Sequence, residues 1–189
     1  MNEITIKGYH GTNSNNCRNI LNSNYRISKG DKEWLGDGVY FFIEGISSES
    51  PKELAKKWVI AESSKRKHKD YAVIESEIKV NEEKLLDLTT KEGLEVFIYY
   101  YELFLEEIKK EIDKGKPGLK FYDGFLINLM RKKDVLPIEV VKGNFYIKFE
   151  EERKNEINFR TSNCTICAVY NPEKNINKKS NKVSNKGKI

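Results

Sequence analysis

Trp34-Leu35-Gly36-Asp37-Gly38-Val39-Tyr40-Phe41-Phe42 begins as a turn and ends as a strand. Two glycines bracket Asp37, so the chain can turn tightly there and present bare backbone. The run Val39–Ile43 that follows is apolar, aromatic and β-branched, the composition of a strand. The turn brings the Tyr40 ring to the start of that strand. A tyrosine in that place can stack on a flat heteroaromatic ring, with room left by the glycines. The same residues also suit a plain turn entering a core strand. They do not form a dinucleotide-binding Gly-x-Gly-x-x-Gly, because no helix follows them.

On the N-terminal side, Ile4 and Ile6 alternate with polar residues, which predicts a strand over 3–9. Tyr9-His10-Gly11-Thr12 ends it. Thr12 to Ser14 can cap a helix with Cys17, Ile20 and Leu21 on one face. His10 at such a strand end either offers a hydrogen bond to a ligand or is a buried, satisfied core histidine. Gly11 lets a ligand approach the backbone, and the Thr12 hydroxyl lies beside it.

On the C-terminal side, Ser50-Pro51-Lys52-Glu53 is a helix start: Ser caps, Pro takes the first helical position, and Glu closes the capping box. That helix is expected to run to about Ser64 and to bury Leu54, Ala55, Trp58 and Ala61. Ala72–Val80 reads as a strand. The longest helix, about 91–114, carries Leu94, Phe97, Ile98, Tyr101, Leu105, Ile108 and Ile112 at helical spacing and is ended by Gly115–Gly118. A shorter helix follows over Asp123–Met130. Ile138–Val141 and Phe145–Phe149 flank Lys142-Gly143-Asn144 like the arms of a hairpin. Glu151–Asn155 reads as a solvated charge cluster, and Cys164–Tyr170 as a last strand. Strands at both ends with helices between them lack the regular alternation of a parallel doubly wound sheet, so the predicted class is α+β.

The formal net charge is +5, yet residues 174–189 hold six lysines and no acid. The other 28 basic and 29 acidic residues leave the body at −1. The expected organisation is therefore one domain over residues 1–173 and a disordered Lys/Asn/Ser-rich tail over 174–189. No apolar stretch approaches the roughly 20 residues of a membrane span, and no basic segment precedes an apolar run at the N-terminus. With three Cys and no disulfide framework, a reducing cytoplasm is the expected location. Cys164 and Cys167, three apart on a strand, point to opposite faces, so no metal site is expected. His68, inside Lys65-Arg-Lys-His-Lys69, reads as solvated.

His10-Gly11-Thr12, a short helix, a polar loop and then Gly36-x-Gly38-Val39-Tyr40-Phe41, in this order and spacing, resemble the poly(ADP-ribose) polymerase-like ADP-ribosyltransferases. The helix bearing Leu54-Ala55-Lys56-Lys57-Trp58 and the strand after it extend the resemblance, which covers residues 4–80 well and 81–173 in outline. It implies a split, mostly antiparallel pair of β-sheets with flanking helices, and NAD as co-substrate. By the same resemblance His10 contacts a ribose hydroxyl, the Gly11 backbone holds the nicotinamide amide, Tyr40 stacks on the nicotinamide ring, Trp58 forms a second aromatic wall, and Thr12 assists at the ribose.

The family's third element is often a Glu near the start of a late strand. The matching stretch, Arg160–Val169, has no acid; Thr165, and after it Asn163, take that position. Family members without this Glu transfer a single ADP-ribose, so mono-ADP-ribosylation is expected. Glu151 or Glu152 are other groups able to activate a nucleophile. The implied partner is a macromolecular acceptor, protein or nucleic acid, and a toxin or defence effector of this kind would carry a neutralising partner protein. NAD glycohydrolysis and a non-catalytic NAD- or ADP-ribose-binding module are the alternatives.

Overall fold

The computed structural model describes residues 2–30, 33–113 and 122–189. In chain order the elements are β1 (Glu3–Thr12), α1 (Ser14–Asn22), β2 (Val39–Ile43), α2 (Pro51–Arg66), β3 (Asp70–Asn81), β4 (Leu85–Asp87), α3 (Lys91–Leu103), α4 (Leu105–Asp113), α5 (Asp123–Lys132), β5 (Val140–Phe145), α6 (Glu150–Lys154), β6 (Cys164–Val169), α7 (Pro172–Asn175) and β7 (Lys182–Lys188). The fold is α+β. Its strands form a seven-stranded sheet in the order β4-β5-β6-β2-β1-β3-β7. All neighbours are antiparallel except β4 and β5.

The sheet has a waist. β1 pairs with β3 along its whole length, from Glu3↔Asn81 to Thr12↔Ala72. With β2 it pairs only at Gly8↔Ile43 and Tyr9↔Phe42. β4-β5-β6-β2 and β1-β3-β7 therefore behave as two half-sheets pinned at one point and diverging on either side of it.

Alternating residues feed two cores. Along β2, Phe42 packs with Leu54, Ala55 and Val59 of α2 and with α5, while Val39, Phe41 and Ile43 pack with Cys17 and Ile20 of α1. Cys164 and Cys167 of β6 fall into these two different cores, as their spacing requires. The α2 start is the one its sequence encodes: the Ser50 side chain accepts from the Glu53 N–H, and Pro51 opens the helix.

Three expectations need correction. Lys142-Gly143-Asn144 is the middle of one strand, β5, not a hairpin turn: Gly143 pairs with Ile166 and leaves space that the Phe145 ring covers. The long helix is broken at Phe104, and Gly115–Gly118, its expected end, lies outside the described residues. Its stripe also splits. Ile108 is buried, as is Phe104 outside the stripe, whereas Leu94, Ile98, Tyr101 and Ile112 are exposed. α3 docks through its first turn, where Gly93 sits against the Asp87 carbonyl.

The charge cluster after Phe149 has no buried residue, as expected of a solvated segment, and is helical, as α6. Finally, the tail is ordered: β7 runs antiparallel to β3 from Asp70↔Lys188 to Glu75↔Lys182. An edge strand needs a neighbour's backbone rather than an apolar face of its own. The chain leading to it is fastened by Asn175, whose amide donates to the Lys79 carbonyl, and by Ile176, buried beside Ile78.

Candidate functional site

Beyond Tyr9 the β1 edge has lost β2 as a partner, and a cavity of about 560 Å³ opens in the gap. That is within the roughly 300–1,000 Å³ usual for small-molecule sites. Because it lies where the half-sheets part, it is lined from both faces: His10, Thr12 and Phe41 on one, Gly11, Phe42 and Val59 on the other.

His10 spans the gap. Its Nδ1 lies 2.8 Å from the Tyr40 carbonyl oxygen. A carbonyl only accepts, so this nitrogen carries the proton. Tyr25 and Phe41 pack edge-on and tilted against the ring. Burial, followed by the repulsion of the Arg66 charge, holds the imidazole below its ordinary pKa of 6.5 against the raising effect of the Tyr40 carbonyl. The neutral ring then presents Nε2 as an acceptor, to which no hydrogen bond runs among the described residues.

Tyr40 reaches back to the turn that precedes it. Its hydroxyl accepts from the Leu35 N–H at 2.9 Å and donates to the Gly36 carbonyl at 2.6 Å. Gly36 takes φ +78°, which side-chain-bearing residues rarely adopt, and the Asn128 side chain accepts from the Asp37 N–H. The turn is thus fixed from both sides, and the hydroxyl of Tyr40 is already used. What remains for a ligand is its ring.

Gly11 is required by packing. A Cβ there would stand 2.1 Å from the Ala55 carbonyl oxygen of α2. This close approach leaves the second half of α2, from Trp58 to Arg66, along the cavity, with Trp58 in its wall. Trp34 stands edge-on to Trp58 and stacks on Phe145 at 5.3 Å. The Arg153 guanidinium lies over Trp58 at 5.5 Å and donates to Glu62 at 2.8 Å and to the Ala61 carbonyl at 2.9 Å.

Of the residues the sequence singles out, His10, Gly11, Thr12, Tyr40 and Trp58 line this one cavity. Thr165 and Asn163 do not. The Thr165 hydroxyl is buried, accepts from the Ile46 N–H and donates to Asn144. The Asn163 amide pairs with both backbone groups of Ile147. Both side chains hold loops. Glu151 and Glu152 lie on α6 and are not part of the lining.

The acids that do line the cavity are Glu33, which accepts from the Ser28 hydroxyl, and Glu62. His68 also lines it and lies beside the Asn13 amide that caps α1, not free in solvent. Sequence reasoning passed over Glu62 and Arg66, although the four-residue steps Trp58, Glu62, Arg66 put them on one helix face with a residue already singled out.

Among the described residues no group of three or more His, Cys, Asp or Glu is placed to hold a metal ion. Burial pushes the Cys164 and Cys167 thiols up to about 12, so neither supplies a thiolate near neutral pH. No helix among the described residues is long and apolar enough to cross a membrane.

No protein-family model matches the chain. It is similar to the uncharacterized protein MJ0359 of Methanocaldococcus jannaschii, 30% identical over 169 residues that cover 82% of this chain and 75% of that protein.

Proposed function

The chain belongs to one family with this Methanocaldococcus jannaschii protein, and we propose that it binds NAD at His10 and Tyr40 and transfers its ADP-ribose to a macromolecule as a mono-ADP-ribosyltransferase. One observation carries the reading. The imidazole of His10 is tied to the Tyr40 carbonyl where the half-sheets part, and this bridge lies in a cavity that Trp58 also lines.

The residue types suit the chemistry. Neutral His10 offers Nε2 to accept a ribose hydroxyl. The rings of Tyr40 and Trp58 attract the cationic nicotinamide ring through their π-faces. The β1 edge that β2 has left offers backbone groups beside Gly11 to which the flat amide can bond. When the nicotinamide–ribose bond breaks, its electron pair goes to the ring nitrogen and positive charge builds on the sugar. Glu33 lines the same cavity and can face that charge, whereas Glu62 is already held by Arg153. Holding the dinucleotide in one geometry then supplies much of the rate.

The absence of an acid over Arg160–Val169 supports single transfer over chain synthesis. That Thr165 and Asn163 hold loops favours one second reading, NAD glycohydrolysis, in which water takes the ADP-ribose because no side chain at that position activates a larger nucleophile.

The test is nicotinamide release from NAD by the purified chain, beside His10→Ala and Trp58→Ala, with adenylate-labelled NAD and a cell lysate as acceptor source. Release that needs both side chains supports the NAD site. Label on macromolecules then selects transfer, and free ADP-ribose alone selects hydrolysis. NAD that binds without being consumed leaves a binding module.

A further inference from the structure

Resting on that reading of the cavity, we propose that the acceptor is a nucleic-acid strand, led to the cavity mouth by a ridge of cations that includes the ordered C-terminal strand. The ridge starts where α2 ends. Lys65, Arg66, Lys67 and Lys69 are exposed and follow one another around His68, which lines the cavity. Lys67 takes the left-handed turn, φ 54°, that sends the chain from the helix into β3.

β7 continues the ridge. Lys188 is paired in register with Asp70 and Lys186 with Ala72, both are exposed, and β7 packs against both α1 and α2. Arg18 is exposed on the neighbouring α1. Lys186 and Lys188, two residues apart on a strand, lie about 6.6 Å from each other along it. That suits successive phosphates of one nucleic-acid chain.

The acids nearby are already engaged. Asp70 accepts from the Ser14 N–H at the start of α1, and Glu62 is held by Arg153 at 2.8 Å. Glu62 also lies 3.7 Å from both Lys65 and Arg66, so the ridge rests chiefly on Lys67, Lys69, Lys186 and Lys188. Lys182, the remaining lysine of β7, is paired with Glu75 at 3.0 Å and adds nothing to the ridge.

Two features favour nucleic acid over a protein acceptor. Lysine is depleted from protein–protein interfaces, whose cores need aromatic or aliphatic anchors. The ridge has no large aromatic side chain, while the largest group of exposed apolar side chains among the described residues, Leu94, Ile98, Tyr99 and Leu103 among them, lies on α3. Lysines around a mouth also draw a polyanion in by charge alone, without fixing its sequence.

The transfer balances. C1 of the nicotinamide-bearing ribose loses neutral nicotinamide with the electron pair of the broken bond. A lone pair on an oxygen or nitrogen of the nucleotide forms the new bond to that carbon, and the proton of that group leaves to water.

The experiment uses the full chain and fluorescent 20-nucleotide single-stranded RNA and DNA, read by anisotropy from 50 to 200 mM salt, together with labelled NAD. Binding is expected to weaken steeply with salt. Lys186→Ala/Lys188→Ala and Lys67→Ala/Lys69→Ala should each lower affinity about tenfold and flatten the salt slope by about 0.7 per lost phosphate contact. Nicotinamide release into water should stay at the wild-type rate in both variants. Label is expected on the nucleic acid, resistant to protease and freed by nuclease.

Nicotinamide release with label only on protein, and no salt-dependent binding, would overturn the acceptor while leaving the NAD site standing. Salt-dependent binding lost in the lysine variants, without NAD cleavage, would support the ridge as a nucleic-acid surface and remove the NAD reading. Binding unchanged in both double variants would overturn the ridge.

Discussion

The sheet opens at both sides of its waist, and the two hollows are made of different chemistry. On the Thr12 side of the Gly8–Tyr9 pairing the gap holds His10, Tyr40 and Trp58 and a rim of arginine and lysine. On the Ile4 side a hollow of about 860 Å³ is lined by Ile4, Ile6, Ile43 and Leu86, with Glu44, Glu82 and Glu92 around them. The second is larger, yet it lacks an aromatic wall and a ring nitrogen free to accept. Topology produces a hollow wherever two strands part. Only the side chains that strand alternation delivers into it decide whether it can hold a dinucleotide. Size is the poorer guide.

The sharpest way to break this comparison is to exchange the damage. His10→Ala should slow nicotinamide release about 100-fold, the scale expected when a group that positions the reacting sugar is lost. Glu44→Gln and Glu92→Gln, in the other hollow, should leave it within about twofold. Steady-state rates with saturating NAD decide it. A large loss from either glutamate variant with intact folding would put the chemistry in the wrong hollow.

Glycine substitutions separate fold from site. Gly11→Ala brings a Cβ to 2.1 Å from the Ala55 carbonyl, and Gly93→Ala brings one to 1.9 Å from the Asp87 carbonyl. Both clashes are with backbone, so each should destabilise by roughly 1–3 kcal/mol in urea unfolding. Only Gly11→Ala should also cut nicotinamide release at a temperature where the protein is folded, because only that shift pushes β1 away from α2 beside the cavity.

How much of this was legible depends on which physical signal each element uses. β2 and the start of α2 announce themselves through an apolar β-rich run and a capping box, and both form where those signals lie. β7 carries no such signal, since its side chains stay largely exposed and its partner is the β3 backbone. Gly143 misled in the other direction, as a turn residue that a neighbouring ring keeps in a strand. At the cavity, His10 and Tyr40 were visible because a strand end fixes where they sit. Thr165 and Asn163 were not, since what their side chains bond, Ile46 and Ile147, is set by loops that no periodicity describes.

A smaller effect tests the turn that carries Trp34. Tyr40→Phe removes the hydroxyl that joins the Leu35 N–H and the Gly36 carbonyl. The ring remains for stacking. Stability should fall by about 1 kcal/mol, and KM for NAD should rise roughly threefold with kcat little changed. A kcat collapse instead would mean that the hydroxyl itself touches the reacting sugar, in a conformation where it has left the turn.

The smallest effect is in pH, and its sign follows from His10. With its folded-state pKa below 6.5, the ring stays neutral through pH 7, and Nε2 remains an acceptor. Nicotinamide release should therefore be flat from about pH 8 to 6.5 and decline only below that, as the proton reaches Nε2 and turns it into a donor. Stability follows the same direction. The unfolded chain takes up this proton before the folded one does, so the contribution of His10 weakens as pH falls from 6.5 toward the folded pKa. His10→Gln keeps a polar side chain that does not titrate, and it should remove the acidic limb from whatever activity survives. Release that instead falls as pH rises through a midpoint above 7, a limb absent from His10→Gln, would mean that the imidazole works in its charged form and that the contact assigned to the ribose hydroxyl runs the other way.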